Sequence, residues 1–115
     1  MEFDLGEISL SPTVKRLMVY YPGFSEFYEE CMDRYTSCDW GDVDDFEKHK
    51  NNKAVRCGGE IYASYDFPDE LDVDLFIMNK VLVVFTDEYR LETSVTLSAD
   101  FECAWVPEQF LDDDE

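Results

Sequence analysis

Residues 58–66 read Gly-Gly-Glu-Ile-Tyr-Ala-Ser-Tyr-Asp, and one sequence pattern gives way to another there. Between Ser11 and Gly58, apolar residues recur at spacings of three and four, which is typical of amphipathic helices. After Gly59, apolar and polar residues alternate, as in strands that bury one face. This change of period predicts an α+β fold, with two to three N-terminal helices packed on one face of a mainly antiparallel sheet of four to five strands.

Two helices are predicted upstream of residue 38. In the first, Ser11 is the N-cap and Pro12 the first helical residue, and the helix ends by Pro22-Gly23. Its inward residues are Val14, Leu17 and Met18. The second helix covers about 24–37. Its inward residues recur at helical spacing and are Phe24, Phe27, Tyr28, Cys31 and Tyr35.

A third helix is predicted over about 45–57, with Asp44 or Asp45 as its N-cap. It carries four basic residues, which are Lys48, Lys50, Lys53 and Arg56. Strands are predicted at 3–10, 60–66, 73–78, 81–88 and 91–98, with a turn at Asn79-Lys80. In the first strand the residues expected on the buried side are Phe3, Leu5, Ile8 and Leu10. The length of 115 residues predicts one domain, 1–111, followed by a solvated acidic tail at 112–115.

The charge of the chain restricts the partners that it can bind. Twenty-eight Asp and Glu stand against nine Lys and Arg, which gives a net charge of −19. Binding of nucleic acid needs a basic surface that displaces phosphate counterions, so we do not expect direct nucleic-acid binding. An anionic membrane surface is excluded for the same reason. With 45% hydrophobic residues the chain can still build a core, and it is expected to be an acidic binding protein.

No pattern of a catalytic or metal site stands out. The first residues are acidic rather than a basic leader, so a cytoplasmic protein with free thiols is expected. The four cysteines contain no Cys-x-x-Cys pair, and Asp39-x-x-Asp42-x-Asp44-Asp45 lacks the spacing of an EF-hand loop. His49 is the only histidine and lies between two lysines. The sequence therefore predicts no enzyme, no catalytic residues, no metal and no cofactor.

Several segments resemble a family of small proteins from bacterial plasmids and other mobile elements. They are Gly6-x-Ile8 with Ser11-Pro12, Asp39-Trp40-Gly41-Asp42-Val43, Asn52 and Ala54 with Gly58 or Gly59, Ile61-x-x-Ser64-Tyr65, Thr86-Asp87-Glu88-x-Arg90, and Thr93-x-x-x-Thr96-Leu97. The Asp-Trp-Gly-Asp tetrad is the most specific of them, and the match covers about residues 4–98. The chain departs from the family between Phe67 and Asn79, and in its acidic C-terminal extension. The resemblance implies a mobile-element origin and carries over no activity.

The acidic residues fall into clusters, and these are the candidate partner-binding surface. Averaged over the surface expected for this mass, the net charge is about a third as dense as that of duplex DNA. Imitation of nucleic acid would therefore require the carboxylates to gather on one face, away from the basic helix; the alternative is an acidic surface that only keeps the protein soluble. The residues assigned to partner binding are Glu26, Glu29, Glu30, Asp39, Trp40, Asp42, Asp69, Glu70, Asp72 and Asp74.

Trp40 has two interpretations. It packs in the domain and donates its indole N–H to an oxygen, or it is a partly exposed anchor within an acidic rim. These interpretations lead to two functions. One is an inhibitor of anti-CRISPR or anti-restriction type, which presents carboxylates to a basic nucleic-acid-binding protein or nuclease complex. The other is an antitoxin or immunity protein that binds one basic toxin through an aromatic-centred patch. The oligomeric state is left open.

Overall fold

The structure is a computed structural model, and it describes residues 3–69, 71 and 80–98. Its helices are α1 (Pro12–Tyr20), α2 (Pro22–Thr36) and α3 (Asp45–Cys57). Its strands are β1 (Glu7–Leu10), β2 (Ile61–Asp66), β3 (Val81–Thr86) and β4 (Glu92–Leu97). The chain runs in the order β1, α1, α2, α3, β2, β3, β4, and the predicted α+β fold is confirmed.

The four strands form one mixed sheet in the order β1-β4-β3-β2. β2 pairs with β3 and β3 with β4 in antiparallel fashion, while β1 pairs with β4 in parallel. A short turn joins β3 to β4 and forces them to be antiparallel. The connection from β1 to β4 contains the rest of the domain, so no hairpin sets the direction of β1.

The ends of the helices follow local capping chemistry. The Ser11 hydroxyl accepts a hydrogen bond from the Val14 N–H at 3.2 Å, and Asp44 accepts from the Glu47 N–H at 2.8 Å. Both residues are the N-caps that the sequence predicts. α2 begins at Pro22, two residues before its predicted start, because proline with its fixed φ fits the first helical position.

The core lies between the helices and one face of the sheet. The helices contribute Val14, Leu17, Phe24, Phe27, Cys31 and Tyr35, and the sheet contributes Ile61, Ala63, Tyr65, Leu82, Val84, Val95 and Leu97. Ile8 lies on the helix side of the sheet, as predicted, because it stands opposite the buried Thr93, but 43% of it is exposed. β1 is an edge strand, so no described strand covers its outer side next to Ile8.

A chain of hydroxyl groups crosses the core. The Tyr35 hydroxyl lies 2.7 Å from the Thr86 hydroxyl, which lies 2.7 Å from the Thr93 hydroxyl. Thr93 in turn donates to the Leu5 carbonyl oxygen at 2.6 Å. Burial raises the pKa of Tyr35 above its ordinary value, so the hydroxyl stays protonated. The chain joins α2, two strands and the segment before β1 through satisfied buried polar groups.

Three predictions fall on residues outside the described ranges: the strand at 73–78, the turn at Asn79 and the tail at 112–115. Within the described ranges, no helix combines the length and the apolarity needed to cross a bilayer.

Candidate partner-binding surface

The outer face of α2 presents four carboxylates in a stripe. Phe24, Phe27, Cys31 and Tyr35 bury the inner face of this helix, and the spacing of 3.6 residues per turn turns the intervening acids outward. These acids are Glu26, Glu29, Glu30 and Asp33, all of them exposed. They stand at positions i, i+3, i+4 and i+7 and so share one face. We call this set the α2 stripe.

Among the described residues, no lysine or arginine forms an ion pair with any of the four carboxylates of the α2 stripe. Lys50 of the basic helix α3 pairs instead with Glu47 on its own helix, at 3.6 Å. Because α3 packs against β2 while α2 packs against α1, the basic and acidic helices occupy different parts of the fold.

Asp39 forms a salt bridge within the fold. Its carboxylate accepts two hydrogen bonds from the Arg34 guanidinium, at 2.9 and 3.3 Å, and one from the Gly41 N–H at 3.1 Å. The hydrogen bonds from Arg34 lower the pKa of Asp39 below its ordinary value, and Lys48 also contributes to this shift. The same guanidinium lies 4.9 Å from the centre of the Tyr65 ring. Asp39 is thus a charge that the fold already compensates.

Trp40 is 3% exposed, so its assignment as an exposed anchor of the partner-binding surface is wrong. Its ring packs edge-on against Tyr35, with ring centres 5.5 Å apart. Its indole N–H donates to Asn52 Oδ1 at 2.9 Å. The interpretation of Trp40 as a packed core residue is confirmed, because the hydrophobic ring and its one donor are both satisfied inside the domain.

Gly41 and Asp42 attach the loop before α3 to the outer edge of β2. A Cβ on Gly41 would lie 2.0 Å from the Ser64 carbonyl oxygen, and the φ of Gly41 is +77°, so only glycine fits there. The Asp42 N–H donates to that carbonyl at 2.7 Å. The Asp42 carboxylate accepts from the Asp66 N–H at 2.9 Å. Each residue of the tetrad 39–42 therefore has a contact that holds the fold together.

The remaining predicted partner-binding residues lie in the segment after β2. Asp69 is exposed at its beginning, whereas Glu70, Asp72 and Asp74 lie outside the described residues. Of the ten predicted residues, the structure thus brings three together on one face, which are Glu26, Glu29 and Glu30.

The described residues give no candidate for a metal centre, since no three of their His, Cys, Asp and Glu side chains come together as ligands. His49 is exposed on α3. Cys31 is buried in the core, and this burial raises the pKa of its thiol to about 12. Cys57 is an exposed free thiol at the end of α3.

The chain was compared with models of protein families, with curated proteins and with solved structures. No family model, curated protein or solved structure matches it. The residues that carry the resemblance described above can be placed in the structure, and they make contacts within the fold. Arg90, for example, donates to the carbonyl oxygens of Gly59, Asp87 and Ala54 at 2.7, 3.0 and 3.0 Å. Arg90 therefore holds the end of α3 and the turn before β4 together.

Sequence reasoning missed one further feature, the outer edge of β1, with which no described strand pairs. Glu7 of β1 stands directly opposite Glu92 of β4, and Ile8 is exposed between two surface grooves. The strand period predicted β1, but neither its position at the edge nor its register with β4 can be read from the sequence.

Proposed function

We propose that this protein is a stoichiometric inhibitor from a mobile element, of anti-CRISPR or anti-restriction type. It binds a basic nucleic-acid-binding protein or nuclease complex in the cytoplasm of the bacterial host and blocks the channel that nucleic acid would occupy. The α2 stripe is the single observation that carries this proposal. It is a row of exposed carboxylates, on a rigid helix, to which the described residues supply no cation.

The spacing of the α2 stripe supports imitation of a nucleic-acid strand. An α-helix rises 1.5 Å per residue, so the seven residue steps from Glu26 to Asp33 span about 10 Å. Its four charges are separated by three intervals along the axis that average ~3.5 Å, and successive charges on one strand of duplex DNA are about 3.4 Å apart along the axis. The local density is therefore that of a nucleic-acid strand, although the average over the whole surface is lower.

The test is a pull-down with the tagged protein from a bacterial lysate that contains CRISPR and restriction complexes. The variant Glu26→Lys, Glu29→Lys, Glu30→Lys reverses three charges of the stripe. The control Asp4→Lys, Glu60→Lys, Glu88→Lys changes the net charge equally at exposed positions outside α2. We expect wild type and control to capture a nuclease or effector complex that salt releases and added DNA displaces.

The stripe variant should lose at least about tenfold of this capture, since charges that face a basic partner contribute to both encounter and binding. Circular dichroism shows whether the variant retains its helices. Equal capture by a folded stripe variant would contradict the proposal. So would a captured partner that added DNA does not displace.

A second candidate is an antitoxin or immunity protein that binds one basic toxin through an aromatic-centred patch. The exposed rings of Tyr20 and Tyr89 favour it, since aromatic side chains are frequent anchors of interfaces. In that case a single partner remains bound at high salt, and Tyr20→Ala or Tyr89→Ala weakens binding more than the stripe variant does.

A further inference from the structure

No described residue pairs with the backbone groups on the outer edge of β1. The Glu7 and Ser11 N–H groups donate to the carbonyl oxygens of Leu91 and Val95, both at 3.0 Å, and so point towards β4. Successive residues of a strand point their N–H and C=O groups to opposite sides. Those of Ile8 and Leu10 therefore point away from β4, to an edge where no described strand pairs. Such an edge is a template for one more strand.

A groove with both apolar and acidic lining residues runs beside this edge, between β1 and α2. Its volume is about 410 Å³, and it is lined by Leu5, Ile8, Tyr28, Glu29, Met32, Asp33 and Thr36. Ile8, 43% exposed, forms its strand side, and Tyr28 and Met32 form its helix side. A strand added to β1 would place alternate side chains on this side of the sheet, where the groove can receive an apolar one.

The edge is acidic on both faces of the sheet. On the helix side, two carboxylates of the α2 stripe, Glu29 and Asp33, line the groove. On the other side Glu7 stands opposite Glu92, and like charges in directly opposed positions repel. The single cation among the residues that line the two grooves beside β1 is Lys15. A strand with basic side chains would meet complementary charge on either face.

We propose that β1 binds an extended, basic segment of the partner protein, which pairs with the backbone of Ile8 and Leu10 as a fifth strand of the described sheet. The inference rests on the proposed function, because it names the surface through which the acidic protein holds its basic partner. A second copy of this chain does not fit, since it would place another acidic edge against Glu7. Strand addition supplies affinity through main-chain hydrogen bonds, and the groove and the carboxylates select the sequence.

The experiment uses a synthetic peptide of alternating lysine and valine as the probe. Hydrogen exchange of the 15N-labelled full chain, measured by NMR, reports on the Ile8 and Leu10 amides. We expect excess peptide to slow their exchange at least about tenfold, because a paired edge exposes these N–H groups only when it opens. The control peptide has the same sequence with every backbone nitrogen methylated, and it should give no protection.

Two protein variants test the same point. Ile8→Lys leaves the backbone intact but places a positive charge at the edge and removes the apolar side of the groove. It should bind the lysine–valine peptide at least about tenfold more weakly, which corresponds to ~1.4 kcal/mol. Val19→Lys makes the same chemical change at a position on α1 that is 74% exposed, and it should bind within about twofold of wild type.

Unchanged exchange of the two amides, equal binding by Ile8→Lys, or no binding of the peptide would each overturn the strand-addition proposal. The pull-down separates this failure from that of the proposed function. A partner that still depends on the α2 stripe but binds Ile8→Lys as well as wild type leaves the function standing and overturns only the edge. If instead the peptide protects the Ile8 and Leu10 amides but the pull-down gives no partner that DNA displaces, the edge can accept a strand and the proposed function is overturned.

Discussion

The two outer edges of the sheet differ in whether described residues satisfy the backbone groups that point outward. At β2, the Asn51 side chain donates to the Tyr62 carbonyl at 2.7 Å and accepts from the Tyr62 N–H at 3.1 Å. Asp42 satisfies the Ser64 carbonyl and the Asp66 N–H farther along the same edge. At β1, the groups of Ile8 and Leu10 have no such partner among the described residues.

The acidic residues at the two edges have different surroundings. An open edge is a hazard, because it can pair with the next copy of the chain. The β2 edge is closed by side chains that fold back on it, and there the carboxylate of Asp42 acts as a local hydrogen-bond acceptor. The β1 edge is flanked by carboxylates that form no ion pair with a described residue, and on our proposal they repel a second copy and leave the edge available to a basic partner.

Gly41→Ala should destabilise the β2 edge more than any other single substitution described below. The added Cβ would meet the Ser64 carbonyl at 2.0 Å and the Tyr65 ring at 2.6 Å, with a φ of +77°. Backbone strain and overpacking together should cost about 4 kcal/mol of unfolding free energy. The measurement is urea denaturation. Gly58→Ala is the control, because its backbone (φ +92°, ψ 154°) is also strained for alanine but nothing lies within 4 Å of the added Cβ, so it should cost only about 2 kcal/mol. Equal losses would show that the close approach to β2 is unimportant.

Asn51→Ala should open the same edge from the side of α3. Asn51 is fully buried, and its removal leaves the Tyr62 N–H and C=O without partners. We expect a loss of about 2–3 kcal/mol of unfolding free energy. Asn52→Ala, one residue along, removes a single hydrogen bond to the Trp40 indole and should cost about 1 kcal/mol. Chemical denaturation of the pair checks the order, and a larger loss for Asn52→Ala would contradict it.

Asp39→Asn tests the charge that the fold compensates, and its effect depends on pH. The folded pKa of Asp39 lies below its ordinary value of 3.8, so the stabilisation is complete above that pH and is lost as the pH falls through the lower folded pKa. The side chains of Arg34 and Asp39 are 40% and 51% exposed, so the loss at pH 7 should be at most about 1 kcal/mol.

The check for Asp39→Asn is thermal unfolding of wild type and variant at pH 7 and at a series of lower pH values. The difference in melting temperature should shrink as the pH falls through the folded pKa. Glu26→Gln, which removes the same charge from a carboxylate with no ion pair among the described residues, provides the comparison. A difference for Asp39→Asn that persists in acid would assign the effect to packing instead.

Glu7→Lys tests the β1 edge, and the change that we expect in its unfolding free energy is smaller than for the other variants. It replaces the repulsion between Glu7 and Glu92 by attraction and should add about 0.5 kcal/mol to the unfolding free energy. Glu26→Lys changes the net charge equally on the outer face of α2 and serves as the control in urea denaturation. An equal gain from both variants would mean that total charge, not the cross-strand pair, is responsible.

Local signals in the sequence were enough for the elements of the fold. Ser11 and Asp44 cap helices where the sequence predicts them, and the double glycine at 58–59 separates helix from strand. The exposed face of α2 also follows from helical spacing alone. Local patterns do not predict the register of a strand or which residues lie next to it in space. The parallel pairing of β1, the close approach of Gly41 to Ser64 and the burial of Trp40 all depend on residues distant in the chain.

The same distance explains why the tetrad 39–42 looked like a binding site. Two aspartates around a tryptophan have the composition of an interface, and only the folded chain brings Arg34, Asn52 and Asp66 to meet them. Composition reports which groups are present, whereas their partners decide whether the groups are available.

The α2 stripe has a consequence for how such a protein can change over evolution. Its four carboxylates make no ion pair with any described residue, so replacing them should cost the fold little. The internal contacts of the tetrad 39–42 and of Arg90 fix the scaffold independently of that face. If the α2 stripe binds the proposed target, selection can therefore change the outer surface of α2 one residue at a time as that target changes, while the stability of the domain remains above its threshold.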